Sequence, residues 1–140
     1  MSPPPRWDDV AVGDAAEPRA VGPLAVRDFV RYAGASGDFN ALHYDEAYAR
    51  AAGFPSVFAQ GMFDAGVLAS YAAAWLGPAG VRRFHARFEE VVWPGDTVTC
   101  KGEIVRKYEE SGERRVDVVL QCARQTGEVA VRGEATFALD

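Results

Sequence analysis

Cysteine is scarce in this 140-residue chain, and its scarcity excludes two classes at once. Cys100 and Cys122 are too few for a disulfide framework and stand in no CxxC or other metal-ligand spacing, so both read as buried free thiols with no metal to hold. Positive charge is also short. Fifteen Lys and Arg against 20 Asp and Glu leave a formal charge of -5, the wrong sign for a nucleic-acid partner. Long uncharged apolar runs are missing, which argues against a membrane span. The start, MSPPPRWDDV, lacks the basic and then apolar pattern of a secretory signal, and its prolines suggest a loose leader; the expected compartment is the cytoplasm. No GxSxG elbow, Walker-type loop or GxGxxG turn is found.

What is present is an ordinary globular composition, 49% hydrophobic and 25% charged, of a length that suits one domain. The expected division is a leader and N-terminal segment over residues 1–20 and a single domain over residues 21–140. In PLAVRDFVRYAG, apolar Val26, Phe29, Val30 and Ala33 follow the helical i, i+3, i+4, i+7 spacing, with Pro23 before and Gly34 after. DEAYARAAG reads as a second short helix with Asp45 as its N-cap. GMFDAGVLASYAAAWLG, residues 61–77, is rich in alanine and nearly free of β-branched residues, so it is predicted as a helix. With so little polar surface it must be enclosed by protein.

Beyond residue 80 the period changes to two. Phe84, Ala86 and Phe88 alternate with His85, Arg87 and Glu89, and similar patterns run through Val98–Ile104, Val116–Cys122 and Val129–Phe137. Four strands are predicted, with turns at PGD, ESGE and TGE that favour antiparallel neighbours. The fold class is α+β, a twisted antiparallel sheet curled around one buried helix. Such a sheet covers the helix on one side and leaves strand edges, which points to a homodimer.

The chemistry concentrates in SGDFNALHY, residues 36–44, where Asp38, Asn40 and His43 fall within a loop. A carboxylate and an imidazole five positions apart can share one water as an acid–base pair. The same residues also suit an ordinary loop, with Asp38 in an Asx turn and Asn40 capping backbone, and spacing alone does not separate the two. A second element is AQGM, residues 59–62. Gly61 opens the long helix, and its N–H can hold a carbonyl oxygen that gains negative charge, or the glycine simply marks a bend. Asp64, just inside, is expected to face the helix dipole. Arg82, Arg83, Arg87, Arg106 and Lys107 either meet a phosphorylated carrier or form a solvated strand face.

YAGASGDFNALHYDEAYARAAGF followed by AQGMFDAGVL resembles the hydratase motif of the MaoC-like family, the (R)-specific enoyl-CoA hydratases and (3R)-hydroxyacyl-thioester dehydratases, with its G-D-x-N-P-x-H and H-G-M. The likeness spans Val21 to the C-terminus and is strongest from Tyr32 to Gly66. It implies the hot-dog fold, a dimer, and reversible hydration of a trans-2-enoyl thioester carried on coenzyme A or an acyl carrier protein, with no metal or redox cofactor. It further implies that Asp38 and His43 are the catalytic pair, and that Gly61, Asn40, Gln60 and Met62 serve substrate binding. Ala41 replaces the motif proline, and Gln60 replaces the histidine before Gly-Met with an amide that cannot carry charge. The alternatives are an acyl thioesterase and a non-catalytic carrier-binding or partner subunit of a hot-dog heterodimer.

Overall fold

In a computed structural model, which describes residues 2–140, the period-two segments form one five-stranded antiparallel sheet. Its strands are β1 (Arg19–Val21), β2 (Val81–Phe88), β3 (Val98–Glu110), β4 (Glu113–Arg124) and β5 (Val129–Ala138), in the spatial order β1-β3-β4-β5-β2. The helices are α1 (Val26–Ser36), α2 (Glu46–Ala51) and α3 (Gly61–Leu76). The first turn of α1 is closed by Asp28, whose carboxylate accepts from the Ala25 N–H at 2.8 Å. Its end is set by Gly37, in the left-handed region at φ 79°, where glycine carries no steric cost. Asp45 caps α2 as expected, accepting from the Tyr48 N–H at 3.1 Å.

Register explains how α3 meets the sheet. Across β3, β4, β5 and β2 the residues facing the helix line up in rows, one of Cys100, Cys122, Val131 and Phe88, the next of Gly102, Leu120, Gly133 and Ala86, and a third of Ile104, Val118, Ala135 and Phe84. The middle row is a notch. A Cβ on Gly102 would stand 2.6 Å from a Leu120 methyl and 3.2 Å from Trp75, and one on Gly133 would stand 3.2 Å from Leu68. These two glycines let the large α3 side chains press on the sheet, where burying one such as Leu68 contributes about 1.5–3 kcal/mol. The opposite face of α3, with Met62, Gly66, Ser70 and Ala74, stays exposed, so a single chain encloses the helix on one side only.

Three expectations need correction. The segment assigned to a loose leader is held from Trp7 onward: the Trp7 N–H donates to Asp140, Val10 is buried, Ala15 bridges Glu103, and β1 pairs with β3. There are five strands and not four, because β1 has three residues, too few for a period to show. β2 does not lie beside β3. It pairs with β5 at the far edge, and residues 89–97 span the gap, tied to the segment before α3 by an Ala59–Val92 backbone bond of 2.9 Å. No helix among the described residues is long and apolar enough to cross a membrane.

Enlarging the notch-forming glycines should therefore lift α3. Gly133→Leu is expected to destabilise by about 1–3 kcal/mol, whereas Gly34→Ala, in α1 with open space around it, should be neutral or gain up to about 1 kcal/mol. Thermal denaturation of the two variants beside the parent checks both signs.

Candidate active site

The loop after α1 is built by its own polar side chains. Ser36 Oγ accepts from the Asp38 N–H at 3.1 Å, Asp38 Oδ1 from the Asn40 N–H at 3.3 Å, and Asn40 Oδ1 from the Leu42 N–H at 3.1 Å, which starts the 3-10 turn Ala41–His43. The loop reading of the sequence, an Asx turn at Asp38 and a backbone cap from Asn40, is thus realised. One oxygen of Asp38 shapes the Asx turn, and the other, Oδ2, lies 3.9 Å from His43 Nε2.

His43 is anchored from its far side. Its Nδ1 lies 2.7 Å from the carbonyl of Phe58. A carbonyl can only accept, so Nδ1 carries the hydrogen, and in the neutral ring Nε2 keeps a free lone pair turned toward Asp38. The Phe58 ring packs edge-on against the imidazole at 5.1 Å, and Trp93 and Phe54 pack against Phe58. The His43 side chain is 10% exposed and the Asp38 side chain 45%, so the imidazole is sheltered while the carboxylate meets solvent. At 3.9 Å, Nε2 and Oδ2 are too far apart to bond each other, but each can accept from one water held between them. Such a water gives both hydrogens away and turns its lone pairs outward.

Phe58 also leads into α3 three residues later. Gly61 and Met62 occupy the first two positions of that helix, and neither N–H finds an acceptor among the described residues. Phe88, at the end of β2, borders Gly61, with its ring 3.4 Å from where a Cβ would be. Sequence reasoning missed this neighbour, as it missed the Phe58 carbonyl: cross-strand placement decides the first, and a backbone oxygen carries no residue-specific signal.

Other expected site residues are placed differently. Asn40 caps backbone and positions the loop. Gln60 is 1% exposed; its Nε2 donates to the Phe29 carbonyl at 2.8 Å, so this residue ties α3 to α1 and offers no surface to a substrate. Met62 is 60% exposed at the open end of α3. Asp64, expected as a partner of the helix dipole, does sit in the first turn of α3 but is only 3% exposed, with Oδ1 unpartnered like Gln60 Oε1. Burial, and then the charge of Asp96, push its carboxyl up to about 7. The two thiols face each other across β3 and β4; the hydrogen bond to Cys100 and burial push the Cys122 thiol up.

The basic patch is mostly spent. Arg82 pairs with Glu113, Arg106 stacks on Tyr108, and Lys107 donates to the Val10 carbonyl and lies over Trp7, leaving Arg83 and Arg87. His85 is exposed. Asp38, His43 and Gly61 line none of the chain's three main cavities.

Comparison with known proteins places the chain in a family and a fold. The family pattern described as MaoC like domain matches residues 9–125. The fold superposes on the R-hydratase PhaJ1 from Pseudomonas aeruginosa with a TM-score of 0.85 and 29% identity, over 96% of this chain and 84% of that one. The (R)-hydratase from A. caviae involved in PHA biosynthesis gives 0.83 and 26%, over 94% and 98%. A stretch of 66 residues, 47% of this chain, is 39% identical to the peroxisomal hydratase-dehydrogenase-epimerase of Saccharomyces cerevisiae, and spans 7% of that protein. The curved sheet around α3 is the hot-dog fold of these neighbours.

The buried acid sets a pH dependence. The folded pKa of Asp64 lies above its ordinary value, so the unfolded chain gives up that proton first, and stability falls as pH rises from about 4 to about 7, by on the order of 4 kcal/mol. Asp96, held low because bonds from Arg124, Gln125 and the Trp93 N–H outweigh its burial, acts in the opposite sense and only in acid. Melting temperatures between pH 5 and pH 8 should therefore decline for the parent and flatten in Asp64→Asn.

Proposed function

This chain belongs to the MaoC-like domain family, and on that premise we propose that it reversibly hydrates a trans-2-enoyl thioester to the (3R)-hydroxyacyl thioester. The observation that carries the reading is the pair of acceptors, His43 Nε2 and Asp38 Oδ2, set 3.9 Å apart with the ring locked by Phe58. A water between them donates a hydrogen to each. Its oxygen attacks C3, a proton passes to the pair, and the π electrons of the C2–C3 bond move onto the thioester oxygen. The Gly61 N–H, at the positive end of α3, stabilises that oxygen. A proton returned to C2 restores the carbonyl. Atoms and charge balance without a metal or redox cofactor, and the acyl group travels on coenzyme A or a phosphopantetheine arm.

Removing either member of the pair should lower the rate by about two to four powers of ten with the fold intact. Asp38→Asn and His43→Ala, assayed by loss of enoyl absorbance with crotonyl-CoA and longer enoyl thioesters, test this; parent-like rates would end the assignment, and release of free thiol would mark a thioesterase instead. Gly61→Pro removes the amide hydrogen. Proline is tolerated at the first helical position, and Gln60 at ψ 137° already suits a following proline, so the helix start is kept while a ring carbon replaces the N–H; kcat should fall at least about 10²–10³-fold at little cost in melting temperature.

The same reading includes a homodimer. Supporting it are the open face of α3 and the unpaired edge of β2, where exposed Phe88 stands beside Gly61. Sedimentation of the purified chain is expected to give twice its 15.1 kDa mass. A monomer that pairs only when a second hot-dog chain is supplied would replace this with a heterodimer.

A further inference from the structure

Cys100 and Cys122 are the only cysteines of the chain, and folding sets them directly opposite each other on β3 and β4. Both are fully buried free thiols. Backbone bonding shows how close they stand. Ile104 donates its N–H to the Asp14 carbonyl and accepts the Gly13 N–H at its own carbonyl, both in the segment leading into β1, so Gly102 and Cys100, two and four residues back along β3, also turn their backbone groups away from β4. Cys100 and Cys122 therefore form a non-hydrogen-bonded pair, whose Cα atoms lie about 4.5 Å apart, inside the roughly 4.4–6.8 Å that a disulfide spans.

The two sulfurs differ in setting. Cys100 is directly opposite Arg19 of β1, whose Nε is buried with no acceptor, so a permanent positive charge stands beside that sulfur. The hydrogen bond from Cys122, helped by the charge of Arg19, outweighs burial and the nearby Asp64 carboxyl and holds the Cys100 thiol below its ordinary range; the same bond and burial push the Cys122 thiol up. Access differs too. β1 has three residues and lies at the sheet edge, so its local opening uncovers Cys100, whereas Cys122 lies on β4 between two long strands.

We propose that Cys100 and Cys122 form a thiol–disulfide redox site that takes a small hydroperoxide, with Cys100 as the attacking sulfur and Cys122 as the resolving one. The Cys100 thiolate attacks one peroxide oxygen and the O–O bond breaks; the other oxygen leaves as an alcohol, or as water from hydrogen peroxide, with the proton that Cys100 gave up. Cys100 is left as a sulfenic acid. The Cys122 sulfur displaces that hydroxyl, which departs as water with the Cys122 proton, and an S–S bond joins β3 to β4. Two thiols are oxidised by two electrons and one peroxide is reduced, so no other reactant is needed. An external dithiol restores the pair.

In the test, folded protein is treated with hydrogen peroxide, quenched, unfolded and alkylated with N-ethylmaleimide. Methionine oxidation aside, the parent should take up no label, weigh two hydrogens less than the untreated chain, yield a peptide pair joined at Cys100 and Cys122, and regain both thiols with dithiothreitol. In Cys122→Ala the oxidation should stop at a Cys100 sulfenic acid that dimedone traps, and in Cys100→Ala the remaining Cys122 should react at least about tenfold more slowly than that Cys100. Arg19→Met should slow bridge formation about tenfold or more, and Arg19→Lys should keep most of the rate. Two labelled thiols in the treated parent overturn the proposal, as does a bridge that joins two chains or forms only in urea. Equal reactivity of the two sulfurs, or a parent-like rate in Arg19→Met, overturns it as well. If a variant fails to fold, the bridge in the parent and the site of its first dimedone adduct decide.

Discussion

The 2.7 Å contact between His43 Nδ1 and the Phe58 carbonyl is the constraint on which the rest of the site depends. It fixes the tautomer, so the free lone pair of the ring must point toward Asp38. It also joins two segments distant in sequence, the loop after α1 and the stretch that enters α3, so that positioning the imidazole and positioning the helix N-terminus become one problem. Phe54 and Trp93 packed against Phe58 stiffen that junction, and the Ala59–Val92 bond pins it to the connection between β2 and β3. A ring held on one side by a carbonyl and packed edge-on against Phe58 loses freedom it would otherwise have to surrender on binding.

Asp38 divides its two oxygens between the loop and the imidazole. Oδ1 closes the turn that holds the loop, which frees Oδ2 to face the imidazole without its position being left to side-chain rotation. The same economy appears in α3. One end offers two N–H groups without an acceptor among the described residues, its middle is seated in the notch made by Gly102 and Gly133, and its outer face, with Met62, Gly66, Ser70 and Ala74, is left open. Three separate demands fall on sixteen residues, which explains why they carry so little polar surface and so many small side chains.

Gln60 and Asp64 show how a departure from a family pattern is absorbed. An amide at position 60 keeps a donor for the Phe29 carbonyl and so keeps α1 against α3. Asp64, one turn further on, then lies in the same low-dielectric interior, and burial drives it toward the neutral form. Neither residue touches the outside.

The sequence by itself determined most of the elements and the candidate site groups. Period two in the second half, the alanine-rich run opened by Gly61, the Asp45 cap, and Asp38, Asn40 and His43 in one loop are local properties, written in residues adjacent along the chain. What it could not contain was register and burial. The three-residue β1 is too short to leave a period, the place of β2 beside β5 is settled by long-range pairing, and the solvent-free setting of Gln60 and Asp64 arises only when α1, α3 and the sheet close around them. The orientation of His43 falls in the same class. Its partner is a backbone oxygen fifteen residues away, identical in kind to every other carbonyl, and only the folded path of the chain selects it.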